Sequence, residues 1–474
     1  MGRRVRQVMD LPPSLPPGAV ALAARAELFL RALRHGRSRA AERVLRRWPE
    51  VARSSPFAAA AAGEPEALAR LLDAFPTLLS APHAADGATP LLHACASPLQ
   101  AESPERAQGT LRCAELLLDR GASPNEFMLH DGDPNSKIPA LYFACAADNR
   151  PLVKLLLERG ADPNDGESIY HSAELDHREC LELLAAHGAD FSSRHSHWGN
   201  TPLYFLAGHP EGSPRAATAH VGMRWLLEHG ADPNVTSTER EETPLHRVAE
   251  NTRTAALAEM LVAHGATVDA PRADGRTPFV LAVRSGNVAV ADFLRERGAD
   301  PTRLEPVDEF LGACLAADET KARALLAADP GLVERFGDDD KHALVAADVR
   351  SEDAVRLMHA LGFDLRWEGP WGGTPLHHAA WHGNVAMVKL LLSLGAPVDP
   401  RDKQFGSSPL GWAAHGSANC RRADGDYEAI IDMLLDAGAD RESTINRWGG
   451  TPEALSSRRI ARLLRRRGFA PAYG

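Results

Sequence analysis

The sequence predicts an all-α protein assembled from one repeated helix–turn–helix unit, and three observations carry that reading. Thr-Pro-Leu or a near variant recurs, at Thr89-Pro90-Leu91, Thr201-Pro202-Leu203, Thr243-Pro244-Leu245, Thr277-Pro278-Phe279, Thr374-Pro375-Leu376, Ser408-Pro409-Leu410 and Thr451-Pro452. Leucine-rich segments ending in Gly-Ala follow, such as LLLDRGASPN (116–125), LLLERGADPN (155–164), WLLEHGADPN (225–234) and LLLSLGAPVD (390–399). The closing glycines, from Gly121 to Gly468, are mostly spaced at 28 to 35 residues, the period of a repeat array. The composition agrees. Of 474 residues 44% are hydrophobic but only 6% aromatic, so alanine and leucine must build the core.

Each segment of the unit has a physical reason. Threonine caps a helix N-terminus, and the proline after it occupies the first helical position, where no N–H is needed. Leucine and paired alanines then give a short first helix with a small-residue face. The second helix, as in Val385 to Leu392, is longer and more apolar. Glycine ends it where the chain turns to positive φ. Asp-Pro-Asn and then Asp-Gly or Trp-Gly read as a turn into the next unit.

Units begin near 27, 56, 86, 131, 165, 197, 239, 274, 306, 338, 371, 405 and 448. Those near 27 and 56 lack Thr-Pro-Leu and close with Trp48-Pro49 and Phe75-Pro76. The unit near 165 carries Ser168-Ile169-Tyr170-His171 instead, and those near 306 and 338 are degenerate. Three units are lengthened between their helices, at 97–109, 208–218 and 415–426.

TPLHHAAWHGNVAMVKLLLSLGAPVD (374–399) resembles the ankyrin repeat family, and the likeness extends over nearly the whole chain. It implies an α-solenoid: stacked helix–turn–helix repeats with short projecting β-hairpin fingers. On that basis residues 19–474 are expected to form a single solenoid of about thirteen units behind a proline-rich tail, 1–18. Residues 1–53 hold 12 arginines against four acids, and 441–474 eight against two, in a chain of net charge −10. Basic ends and an acidic middle fit two polar caps better than one nucleic-acid groove. Six lysines against 47 arginines read as the bias of a GC-rich, bacterial genome.

The resemblance also implies function: a non-enzymatic scaffold whose partner is a protein, held by finger tips and by the exposed side of the first helices. Aromatic residues at those positions are the candidate partner-binding set. The position before the finger glycine is Trp198, Trp371, Phe405 and Trp448, the first-helix surface adds Trp381 and His382, and Trp412 lies nearby on its own first helix. Exposed tryptophans in series have the composition of a binding hot spot. A bacterial regulator acting on host or phage proteins, and an anionic-surface binder using the arginine-rich ends, are the alternatives.

No catalytic residue, cofactor or metal site is expected. HExxH, P-loop, GxGxxG and GxSxG patterns are missing, and the six cysteines form no CxxC pair. His195-Ser196-His197 is a weak metal candidate, and Asp338-Asp339-Asp340 lacks the spacing of a calcium loop. No small-molecule substrate and no membrane span is expected, and the N-terminus lacks an apolar signal core, so the expected location is cytoplasmic.

Overall fold

A computed structural model describes residues 17–129, 133, 135–209, 215–251, 254–348, 351–420, 425–440, 446–447 and 450–469. Helices pair along the chain, in most pairs as a shorter first and a longer second member, for example Pro278–Arg284 with Val288–Glu296 and Pro375–Trp381 with Val385–Ser393, whereas Pro17–Arg34, Asp338–Asp348 and Pro409–Asn419 are longer than their partners. No described helix is long and apolar enough to cross a membrane. The chain divides into two compact units, Met1–Gly275 and Arg276–Gly474.

Within each unit, first helices stack on first helices and each second helix packs on its own partner. In the C-terminal unit the core runs from Phe310 to Phe469 and is mostly alanine and leucine, with Phe336 and Phe363 in ring contact with each other and with both Phe310 and Trp367. In the N-terminal unit Phe29, Leu30, Leu45, Val51 and Leu99 form the first cluster.

The capping reading holds in atomic detail. Thr89, Thr201, Thr277, Ser408 and Thr451 each accept a hydrogen bond from the backbone N–H three residues on. The degenerate units substitute other caps. Ser55 caps Pro56–Ala62, Asp165 accepts from the Glu167 and Ser168 amides, and Glu305 and Asp308 form a capping box. The closing glycines have φ between 85° and 99°, with open space where a Cβ would stand, so backbone conformation and not crowding selects glycine there.

The Asp-Pro-Asn segments do more than turn the chain. Asn125, Asn164 and Asn234 each donate to a glycine carbonyl of the following repeat and accept a backbone N–H from it. Each asparagine thus clamps two successive repeats.

The fingers are less regular than hairpins. Among the described residues only Phe127–Leu129 and Lys137–Pro139 pair as antiparallel strands, with Met128 opposite Ile138. The other fingers are too short for a ladder and close with a bond pair, such as His195 N–H to Asn200 O and Gly199 N–H to His195 O. Neighbouring tips are tied by single bonds, Thr238 N–H to Gly199 O and Arg447 N–H to Phe405 O.

The insertions take different forms. Residues 97–109 supply a 3-10 turn and the start of a 16-residue second helix, Pro104–Asp119. Of the insertion 415–426, residues 415–419 prolong a first helix, Pro409–Asn419, and 421–424 lie outside the described residues. Gly416 on that helix lies against Pro375–Trp381, where an added Cβ would stand 2.4 Å from Trp381 O. Gly416→Ala is therefore expected to force the two first helices apart and cost about 1–3 kcal/mol in urea unfolding.

Candidate partner-binding site

The C-terminal unit assembles an aromatic platform from two successive repeats. The finger Gly369–Gly373 carries Trp371, and the helix Pro375–Trp381 carries His377, His378 and Trp381. The next finger carries Phe405, and the helix Pro409–Asn419 carries Trp412 and His415.

Trp412 is the hub. Its ring centroid lies 5.2 Å from His377, 5.1 Å from His378, 6.3 Å from both Trp371 and Trp381, and 6.1 Å from Phe405. Its Nε1–H donates to Asp402 Oδ2 at 3.0 Å. That carboxylate also accepts the Ser407 amide at 2.8 Å and the Phe405 amide, so it folds the second finger onto the indole. The sequence places Trp412 on a first helix among the candidate contact residues, but its side chain is only 5% exposed, because the fingers and the neighbouring first helix cover it. It supports the platform from beneath.

Trp371 is the projecting element, 56% exposed, with its ring stacked over His378 at 6.1 Å and 16°. Its backbone is left-handed, at φ 61° and ψ 11°. Gly372 N–H bonds to Gly369 O across Pro370-Trp371. Proline second and positive φ third is the type II turn pattern, in which the third place belongs to glycine or asparagine. A tryptophan there costs of order 1 kcal/mol or more.

Trp381 and Phe405 are half-buried, and Trp381 packs edge-on to the exposed His415 at 5.2 Å. His382 is half-buried beside Cys420, Nδ1 to Sγ 3.7 Å. Trp198, 62% exposed, belongs to the N-terminal unit, and its indole packs on His197 at 4.5 Å. Trp448 lies outside the described residues.

His377 is fully buried and neutral. Its Nδ1 accepts the Thr374 amide at 3.0 Å, and Nε2 donates to Ser407 O at 3.1 Å. Burial pushes its pKa down to about 4, against weaker opposing pulls from Ser407 O and Asp402. The unfolded imidazole binds a proton near 6.5, so between these values the unfolded state holds more protons and stability falls with falling pH. The C-terminal unit is expected to lose stability between about pH 6.5 and 4, by at most about 3 kcal/mol. Urea unfolding at stepped pH checks this, and His377→Gln should flatten that part of the profile.

The family model for ankyrin repeats matches residues 106–195, 215–304 and 342–445, more than half of the chain. The chain belongs to the ankyrin repeat family. Ankyrin repeats are generic protein–protein interaction modules. Among relatives, the E3 ubiquitin-protein ligase KEG of Arabidopsis thaliana is 24% identical over 318 residues, covering 64% of this chain and 17% of that protein. Human ankyrin repeat and SOCS box protein 16 is 31% identical over 185 residues, 38% of this chain and 39% of the relative. Human ankyrin repeat and SOCS box protein 6 is 32% identical over 136 residues, 27% of this chain and 30% of the relative. The chain thus spans well under half the length of these relatives.

Within the ankyrin frame, two members of the platform went unassigned from sequence: His378 and His415. A signal for the first exists. The position two residues past the leucine of Thr-Pro-Leu is His93, Phe143, His171, Phe205, His378 or Trp412 in different repeats. In the N-terminal unit the same column makes ring contacts, His171 lying 6.1 Å from Phe205. Around it Glu167 bridges His195 and His171, and Glu174 joins His171, His209 and Arg215. Burial alone would lower His171, but hydrogen bonds to both carboxylates outweigh it and raise the pKa to about 9.

His195 has no ring nitrogen to offer a metal. Its Nδ1 accepts the amides of His197 and Trp198, and Nε2 faces Glu167 Oε1 at 3.2 Å.

Proposed function

We propose that this ankyrin-repeat protein is a non-enzymatic binding protein that holds a protein partner on the aromatic platform of residues 371–415. The observation that carries this reading is Trp371, a large apolar side chain held exposed in a turn position that favours glycine. A strained, exposed indole above a packed ring floor is preorganised, so little side-chain freedom is lost on docking. The half-buried Trp381, Phe405 and His382 extend the same surface. Trp412 supports it from beneath, and Trp198 offers a separate exposed indole in the N-terminal unit. The acidic middle of the chain favours a basic partner surface.

The anionic-surface alternative draws on a cleft lined by Arg459, Arg462, Arg465 and Arg466. Three arginines of that end are already ion-paired: Arg459 with Glu428, Arg465 with Glu453 and Arg467 with Asp432. This favours the capping reading. The scarcity of lysine supports a bacterial source, and within it a cytoplasmic regulator of host or phage proteins is the narrower form of the proposal.

Affinity capture with Trp371→Ala and Trp381→Ala tests the reading. Recovery of the partner should fall for both, with folding intact by circular dichroism. Unchanged recovery by both removes the platform as the binding face.

A further inference from the structure

The first finger of the N-terminal unit holds a cluster that the binding reading does not use. Asp86 Oδ1 lies 3.1 Å from His83 Nδ1 and 3.6 Å from His93 Nε2. The three ligand-type atoms all lie within 4.8 Å of one another. Ligands held about 2.0–2.1 Å from a tetrahedral zinc stand about 3.3 Å apart, which matches the two shortest separations. His93 Nε2 is buried and makes no hydrogen bond, the Asp86 Oδ1 carboxylate oxygen standing beyond normal range at 3.6 Å. An unsatisfied buried imidazole nitrogen aimed at a carboxylate needs an explanation.

The surroundings are those of a second coordination shell. Glu27 Oε2 stands 3.4 Å from His83 Nε2, on the side of the ring away from Asp86. A carboxylate there orients the imidazole and leaves Nδ1 as the ligand atom. Arg34 bridges Glu27 and Asp86 Oδ2, at 3.1 Å from the latter, while Oδ1 faces the two histidines and also accepts the Ala88 amide. Phe57 packs against both imidazoles, at 4.9 and 5.7 Å, and sets their planes. Asp86 and His93 also line a cavity of about 230 Å³ with Leu30, Leu33 and Phe143 on its walls.

We propose that His83 Nδ1, Asp86 Oδ1 and His93 Nε2 form a three-ligand site for zinc, with the fourth tetrahedral position open to this cavity. Two imidazoles and one carboxylate with an open position form a donor set that suits a borderline divalent transition ion and not calcium or magnesium.

Chelator-stripped full-length protein, titrated with zinc chloride by calorimetry and with cobalt chloride by visible absorption, tests this. One equivalent of zinc should bind at neutral pH, and cobalt should give the intense visible bands of a tetrahedral site. His93→Gln and Asp86→Asn should abolish that equivalent, and Glu27→Gln should weaken it about 10–100-fold. His197→Ala, at the exposed finger-tip histidine, should leave it unchanged. Failure of the wild type to take up metal overturns the site, as does uptake that survives both ligand variants or vanishes with His197→Ala. Should the ligand variants fail to fold, the wild-type cobalt spectrum decides, and an octahedral spectrum overturns the proposal.

Discussion

Trp412→Ala is expected to destabilise the C-terminal unit by about 3–5 kcal/mol, the range for emptying a buried large aromatic site. The indole is 5% exposed and touches five other rings. Its removal also takes a donor from Asp402, a buried carboxylate that organises the finger ahead of Pro409–Asn419. Relaxation is limited because Gly373 and Gly416 already bring backbone into contact with Trp412 and Trp381 respectively. Urea unfolding of the full chain measures the effect, and Trp412→Phe should recover part of the loss while leaving Asp402 short of one donor. A loss under about 1 kcal/mol would mean that the indole is not part of the core.

Trp371→Ala is expected to act in the opposite way, with a small effect on stability and a large one on binding. The ring is more than half exposed, so truncation removes little buried area. As the projecting anchor of the platform it falls in the hot-spot class, where truncation costs 2 kcal/mol or more, about 30-fold or more in Kd. Trp371→Asn sharpens the comparison. Asparagine tolerates the left-handed turn position, so that variant should be at least as stable as Trp371→Ala yet bind no better. If Trp371→Asn retained full affinity, the turn and not the indole would be the recognised feature.

The repeat was legible because its signals are local. A threonine cap, a proline at the first helical position and a glycine of positive φ each act within a few residues, and all appear where the spacing places them. The environment of Trp412 was not legible. Its place in Ser-Pro-Leu-Gly-Trp-Ala-Ala gives the helix face on which it stands, but not whether a neighbouring finger covers that face. Asp402, ten residues earlier, decides this by bonding the indole N–H. The exposure of Trp371 and Trp198 could be read, because a finger tip has nothing beyond it in its own repeat. Likewise the His83–Asp86–His93 cluster joins a finger to its helix and to Glu27 of an earlier repeat, a proximity that no linear motif records.

Site-specific photo-crosslinking most directly tests the claim that the platform around Trp371 is where a protein docks. A photo-reactive phenylalanine analogue is placed in turn at positions 382, 415 and 288, the first two beside the indoles and the last being Val288, 60% exposed in the same unit. One discrete protein adduct is expected from 382 and 415 in native cell extract and none from 288. Adducts of equal yield from 288, or none from 382 and 415, would contradict the claim.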